Sequence, residues 1–254
     1  LWFYDSQGSL TRQAELFNGA EYDLERILQI EYSGEENEFF VLASKRGSSP
    51  AGSSALNPDS EPHLFLFNSE GTEVWQKTLP EYSASSLRSS LDGNKILVNN
   101  FRVHETGDII KKALVYDRGG KLLLEADQLY KRAGFSENSK YVIMADNRQV
   151  RLYNLQDKSL LWTKKMDRAE GIVLAVETAK NAEISVILTA KNNWNGESFI
   201  FQQPKMKIFD KTGQLLQSMD YPDRQFRNPA VWLSPEGEQL RIGFQNSCFE
   251  YVTR

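Results

Sequence analysis

The 254-residue sequence holds one cysteine, two histidines and no long apolar run, and each scarcity removes a class of protein. Cys248 has no second cysteine to pair with, so the chain is not a disulfide scaffold. His63 and His104 are too few for a metal site built from histidines alone, which takes a third ligand. Neither adjoins a nucleophile motif, so no Ser-His-Asp arrangement is legible. No Gly-rich phosphate loop, dinucleotide fingerprint or EF-hand loop occurs. The longest apolar runs, such as ISVIL at 184–188, have the length of a strand, far below the ~18 residues that span a bilayer. Positive charge is not in excess: 30 basic residues stand against 34 acidic ones, a formal net charge of −4. The basic footprint of a nucleic-acid binder is missing, so no nucleic-acid partner is expected. The first residue is Leu1 rather than Met, which reads as a removed leader or a trimmed start.

What is present is repetition. LWFYDSQGSLTRQAEL begins at Leu1, LFLFNSEGTEVWQKTL at Leu64, ALVYDRGGKLLLEADQL at Ala113, VRLYNLQDKSLLWTKKM at Val150 and MKIFDKTGQLLQSMDY at Met206. A shorter copy, CFEYVTR, begins at Cys248. Each full copy reads as a β-hairpin. Alternating apolar residues build a half-buried strand, and Asp or Asn after the aromatic starts a turn through its own side chain. Glycine supplies the positive φ that the turn takes in most copies. A second hairpin lies between successive copies, at 27–44, 85–100, 132–146, 172–189 and 229–245. Four strands per unit, in units of about 35 to 60 residues, are the dimensions of a propeller blade. Cys248 falls in a third strand and reads as a small buried apolar group.

The pattern hydrophobic–x–hydrophobic–aromatic–Asp/Asn–x–x–Gly resembles the outer hairpin of WD-type and quinoprotein-like β-propeller repeats. SPEGEQLRIG (234–243) is similar to their inner hairpin. The Trp-Asp dipeptide is absent, and the docking tryptophan of quinoprotein repeats stands in two copies, as Trp75 and Trp162. The resemblance is therefore to the superfamily. It implies an all-β fold: one propeller domain over 1–254, with about five four-stranded antiparallel blades, or six if the start is truncated. With five, the N-terminal segment would complete the C-terminal blade and remove exposed sheet edges.

Function is expected where the chain departs from its repeat. Second and third strands are joined by long segments at 44–63, 101–112 and 191–205, which in a propeller lie on one face. The first is rich in Ser, Gly and Pro and reads either as a working loop or as a plain flexible insertion. The other two read as extended hairpins, the last with NWNG at its tip. Trp194, Phe199 and Phe201 in that hairpin, with Arg102 and His104 in the preceding one, are the candidate partner-binding residues. The aromatics have a second reading, as packing against a neighbouring blade. No catalytic, cofactor or metal-binding residue is singled out, and no cofactor is expected. The expected function is a non-enzymatic interaction or scaffold module that presents long loops to a protein partner. The alternative is a metal-dependent hydrolase or lyase with acidic ligands in the central channel. A quinone-dependent dehydrogenase fits less well, since those enzymes resemble larger propellers. Quinoprotein-like propellers of bacterial envelopes imply a periplasmic or cell-surface location, with the cytoplasm as alternative.

Overall fold

The computed structural model describes residues 2–4, 7–13, 24–33, 38–45, 62–79, 83–103, 106, 108–194, 196, 198–221, 225–244 and 247–253. The chain is all-β, a succession of antiparallel meanders in keeping with a propeller of about five blades. It divides into two compact units, residues 1–129 and 130–254.

In the first unit, β1 (Trp2–Tyr4) and β2 (Leu10–Gln13) form a two-stranded sheet. The first four-stranded sheet runs β3 (Leu24–Ser33), β4 (Glu38–Lys45), β5 (Pro62–Phe67), β6 (Glu73–Thr78). The second runs β7 (Ser83–Ser89), β8 (Lys95–Val103), β9 (Ile109–Asp117), β10 (Leu122–Ala126). In the second unit the third sheet comprises β11 (Arg132–Phe135), β12 (Tyr141–Ala145), β13 (Gln149–Asn154) and β14 (Leu160–Lys165). The fourth comprises β15 (Ile172–Thr178), β16 (Ile184–Trp194), β17 (Phe199–Asp210) and β18 (Leu215–Asp220), with β19 (Gln225–Phe226) paired to β17. The fifth has three strands: β20 (Pro229–Leu233), β21 (Gln239–Phe244) and β22 (Ser247–Val252). All five inner hairpins and all six outer-hairpin starts read from the sequence are strands here.

The repeat's turn chemistry is visible atom by atom. Asn68, Asp117, Asn154 and Asp210 each accept a backbone N–H through Oδ1, from Thr72, Lys121, Gln156 and Gln214 respectively. The inner hairpins use serine in the same way: the Oγ atoms of Ser90, Ser136 and Ser234 accept from the N–H groups of Lys95, Tyr141 and Gln239. Short polar side chains thus satisfy backbone donors that the tight turns leave without a ladder partner.

Sheets stack face to face over apolar cores. Phe40, Leu42, Leu64 and Leu66 of the first sheet meet Leu87, Ile96, Val98 and Leu114 of the second. Ile143, Val150 and Leu152 of the third meet Val173, Val176 and Ile187 of the fourth, whose other face meets Leu240, Ile242 and Phe244 of the fifth. Each such leucine or isoleucine is almost fully buried and contributes about 2 kcal/mol relative to an exposed one.

Trp75 and Trp162 each hold neighbouring sheets together. Trp75 in β6 donates through Nε1 to the carbonyl of Arg118 at 2.7 Å, in the turn between β9 and β10. Lys77, two residues on, donates to the carbonyl of Gly120 at 3.0 Å. Trp162 in β14 lies tilted against Phe209, ring centroids 5.9 Å apart, and a Cβ on Gly213 would stand 2.9 Å from its ring. Gly213 has φ +82°, so glycine is required there both by backbone conformation and by the tryptophan. The bidentate pair Arg118–Glu38, at 2.6 and 2.8 Å, adds a charged link between the first and second sheets.

Cys248 is a correction. It lies in β22, a third strand as expected, but it is exposed. Strand alternation puts Phe249 and Tyr251 against the core shared by the fourth and fifth sheets, and Cys248, Glu250 and Val252 on the opposite face. That face is exposed, so a residue expected in the core stands at the surface.

Candidate functional site

The site is built on the longest hairpin. β16 and β17 pair in register from Ile184–Asp210 out to Trp194–Phe199. β15 accompanies β16 only as far as the Ile172–Ala190 pair. Past a register shift between Thr189 and Lys191, the hairpin leaves the sheet body. At that exit Lys207 binds Glu170 at 2.6 Å, and Lys205 lies 3.3 Å from Asp220 and 3.6 Å from Glu170. The hydrogen bond that it donates to Asp220 holds the Lys205 ammonium above its ordinary pKa.

Beyond the exit, β19 joins the outer side of β17 through the pairs Phe201–Phe226 and Gln202–Gln225. The projection is therefore a three-stranded flap with two unlike faces. Alternation sets Asn192, Trp194, Phe199, Phe201 and Phe226 on one face, and Lys191, Asn193, Gln202 and Gln225, with the single apolar residue Ile200, on the other. On the polar face Asn193 Nδ2 donates to Gln202 Oε1 at 2.8 Å, tying the two strands together.

The aromatic face changes character along its length. Phe226 is buried, lies tilted against Phe201 at 5.8 Å and meets Phe244 of the fifth sheet at 4.8 Å. Phe244 in turn contacts Tyr221 and Phe249. Phe201 thus belongs to a chain of rings that roots the flap in the core. At the tip, Trp194 and Phe199 pair edge to face at 5.0 Å and remain 59% and 53% exposed. Of the three aromatics singled out in the sequence, Phe201 packs inward and Trp194 and Phe199 face solvent. Two large rings held rigidly by each other at the end of a braced hairpin are suited to bury apolar surface of another molecule with little loss of side-chain freedom.

The hairpin of β8 and β9 is the second extension expected from the sequence. Arg102 pairs with Ile110 in its ladder, and its side chain lies outside the described residues, as does His104. The segment 46–61 also lies outside them. Ile109 and Ile110 are exposed near this second tip and were not singled out from the sequence, where they read only as strand residues. Trp232 was missed too: it is 45% exposed on the fifth sheet, under the Arg241 guanidinium at 5.1 Å. Arg241 also pairs with Glu250 at 3.1 Å. Its exposure follows from which face of the fifth sheet is covered, and one strand's alternation does not state that. Among the described residues no three His, Cys, Asp or Glu side chains gather as a metal ion requires, and no helix is long and apolar enough to cross a membrane.

With this geometry the chain falls in the architectural class of β-propeller-like all-β proteins. No family model matches it, and no curated protein matches it. Solved structures that match number 759 chains, a breadth that points to an architecture rather than to one family. Among them is the crystal structure of the eukaryotic initiation factor, with a TM-score of 0.59 and 9% identity, over 96% of this chain and 55% of that one. The chain spans about half the length of that neighbour, and likeness at this identity establishes the fold alone.

Proposed function

We propose that this chain is a non-enzymatic interaction module that binds a protein partner through the tip of the β16–β17 hairpin. The observation that carries the reading is the exposed Trp194–Phe199 pair, raised from the sheet on a flap whose base is rooted by Phe201 and Phe226. Core aromatics anchor the support, and surface aromatics are left for a partner. The repeats are of the WD-type or quinoprotein-like kind, and the clasps made by Trp75 and Trp162 support the latter comparison. A bacterial periplasmic or cell-surface setting accompanies the proposal, and cell fractionation distinguishes it from a cytoplasmic one. The initiation-factor likeness contributes the fold to this reading and no partner.

The test is affinity capture from host extract. Wild type is compared with a variant whose 192–203 segment is replaced by a short Asn-Gly turn, after both are shown to unfold at the same denaturant concentration. A partner held by wild type and lost by the variant supports the reading. Equal capture by both places the interaction elsewhere and removes the tip as the site.

A further inference from the structure

The flap's two long edges differ. The outer side of β17 is covered by β19 at Phe201 and Gln202. The outer side of β16 is followed by β15 only to Ala190, and Gly171 packs against the backbone of Ala190 and Lys191, where an added Cβ would stand 2.6 Å from the Lys191 nitrogen. Past that point Asn192, Asn193 and Trp194 have no strand neighbour on this side among the described residues, and all three are exposed. In an antiparallel ladder every second residue turns its N–H and C=O away from its partner strand. The edge therefore offers backbone donors and acceptors beside the exposed ring pair. An exposed edge of this kind is a template for an incoming strand.

We infer that this edge of β16 receives an extended segment of the protein partner as an added strand, giving a four-stranded flap. The inference rests on the proposed function and specifies how the tip is read. Main-chain hydrogen bonds to Asn192–Trp194 supply the attachment, and alternating side chains supply the selection. One set of the segment's side chains falls on the aromatic face beside Trp194 and Phe199, so these positions are apolar. The other set falls on the face of Lys191 and Asn193, where the exposed lysine favours an acidic residue. The occupant is a short extended peptide with apolar and acidic residues in alternation. On the opposite edge β19 already occupies the positions beside Phe201 and Gln202, which leaves a shorter stretch, Phe199 and Ile200, without a strand neighbour among the described residues.

The probe is an eight-residue synthetic peptide alternating valine and aspartate, labelled with a fluorophore and titrated with the full chain in an anisotropy assay. Two further peptides carry N-methyl groups on the odd or on the even amides. Methylation removes main-chain donors from one edge of the peptide and leaves every side chain in place. The expected result is binding of the unmethylated peptide, a loss of at least about tenfold for one methylated series, near-normal binding for the other, and a similar loss with Trp194→Ala. If both methylated series bind as the parent does while Trp194→Ala still weakens binding, the tip is a binding site but strand addition is wrong. If all three peptides fail to bind, strand addition is overturned, and the capture experiment above still decides whether the tip binds a partner at all.

Discussion

Among the described residues two hairpins run past the body of their sheets, and they start alike and end differently. At the base of β8–β9, Lys112 is held by Glu125 at 2.5 Å and Asp127 at 2.6 Å. At the base of β16–β17, Lys205 and Lys207 are held by Asp220 and Glu170. Both bases thus use lysine to bridge carboxylates where the ladder leaves the sheet. Further out, β16–β17 gains a third strand, a buried phenylalanine root and an exposed Trp–Phe pair. Among the described residues β8–β9 remains two-stranded, and the apolar groups it exposes near its tip are the isoleucines 109 and 110. The difference teaches that length alone neither braces a projecting hairpin nor sets a ring pair at its end. Among the described residues, one of the two has both.

The largest way to break the comparison is to remove the brace. Phe226→Ala deletes a ring that is 1% exposed and touches both Phe201 and Phe244. Urea unfolding should show a loss of about 3–5 kcal/mol, and the amides of 199–202 should exchange faster. Truncation of Ile109 or Ile110, at the outer end of β9, should cost far less.

Alkaline titration gives a smaller effect that reaches both units. Burial pushes the Tyr116 hydroxyl, at the foot of β9, up to about 12, and raises Tyr221, beside β18, in the same direction. Both folded values lie above the ordinary tyrosine value near 10. The unfolded chain therefore gives up its proton first as pH rises. The contribution is complete below about pH 10 and is lost as the pH climbs through the folded values. Denaturant midpoints should be flat from pH 7 to 9.5 and fall above it, and Tyr221→Phe should flatten part of that fall. A midpoint that falls equally in the variant would remove Tyr221 from the account.

The ion pairs at the base of β8–β9 should matter least. Asp127 is 85% exposed and Glu125 47%, so solvent screens much of the attraction. Lys112→Met should cost no more than about 1 kcal/mol, and the difference should shrink in 1 M salt. A large, salt-independent loss would mean that the base of β8–β9 is held by something other than charge.

Much of this architecture was legible in the sequence because the turns repeat their chemistry. An aromatic followed by Asp or Asn marks each outer hairpin, since the carboxylate or amide has to accept the N–H groups of the turn, as Asp210 does from Thr212 and Gln214. The two long hairpins were legible as breaks in that repeat. The fate of single side chains was less so. Phe199 and Phe201 are two residues apart on one face of one strand, yet one is exposed and the other packed, because β19 reaches only as far as Phe201. That pairing comes from a segment more than twenty residues on, and local pattern does not encode it. Cys248 and Trp232 failed for the same reason: alternation sorts the residues of a strand into two faces, and only the neighbouring sheet decides which face is covered.

The most direct test of the central claim sets the two hairpin tips against each other in one fold. The double variants Trp194→Ala/Phe199→Ala and Ile109→Ala/Ile110→Ala each remove two exposed apolar side chains, so each should shift unfolding by no more than about 0.5 kcal/mol. Partner capture should then fall at least tenfold for the first and stay at wild-type level for the second. Capture lost in the second and retained in the first would contradict the account and move the binding surface to β8–β9.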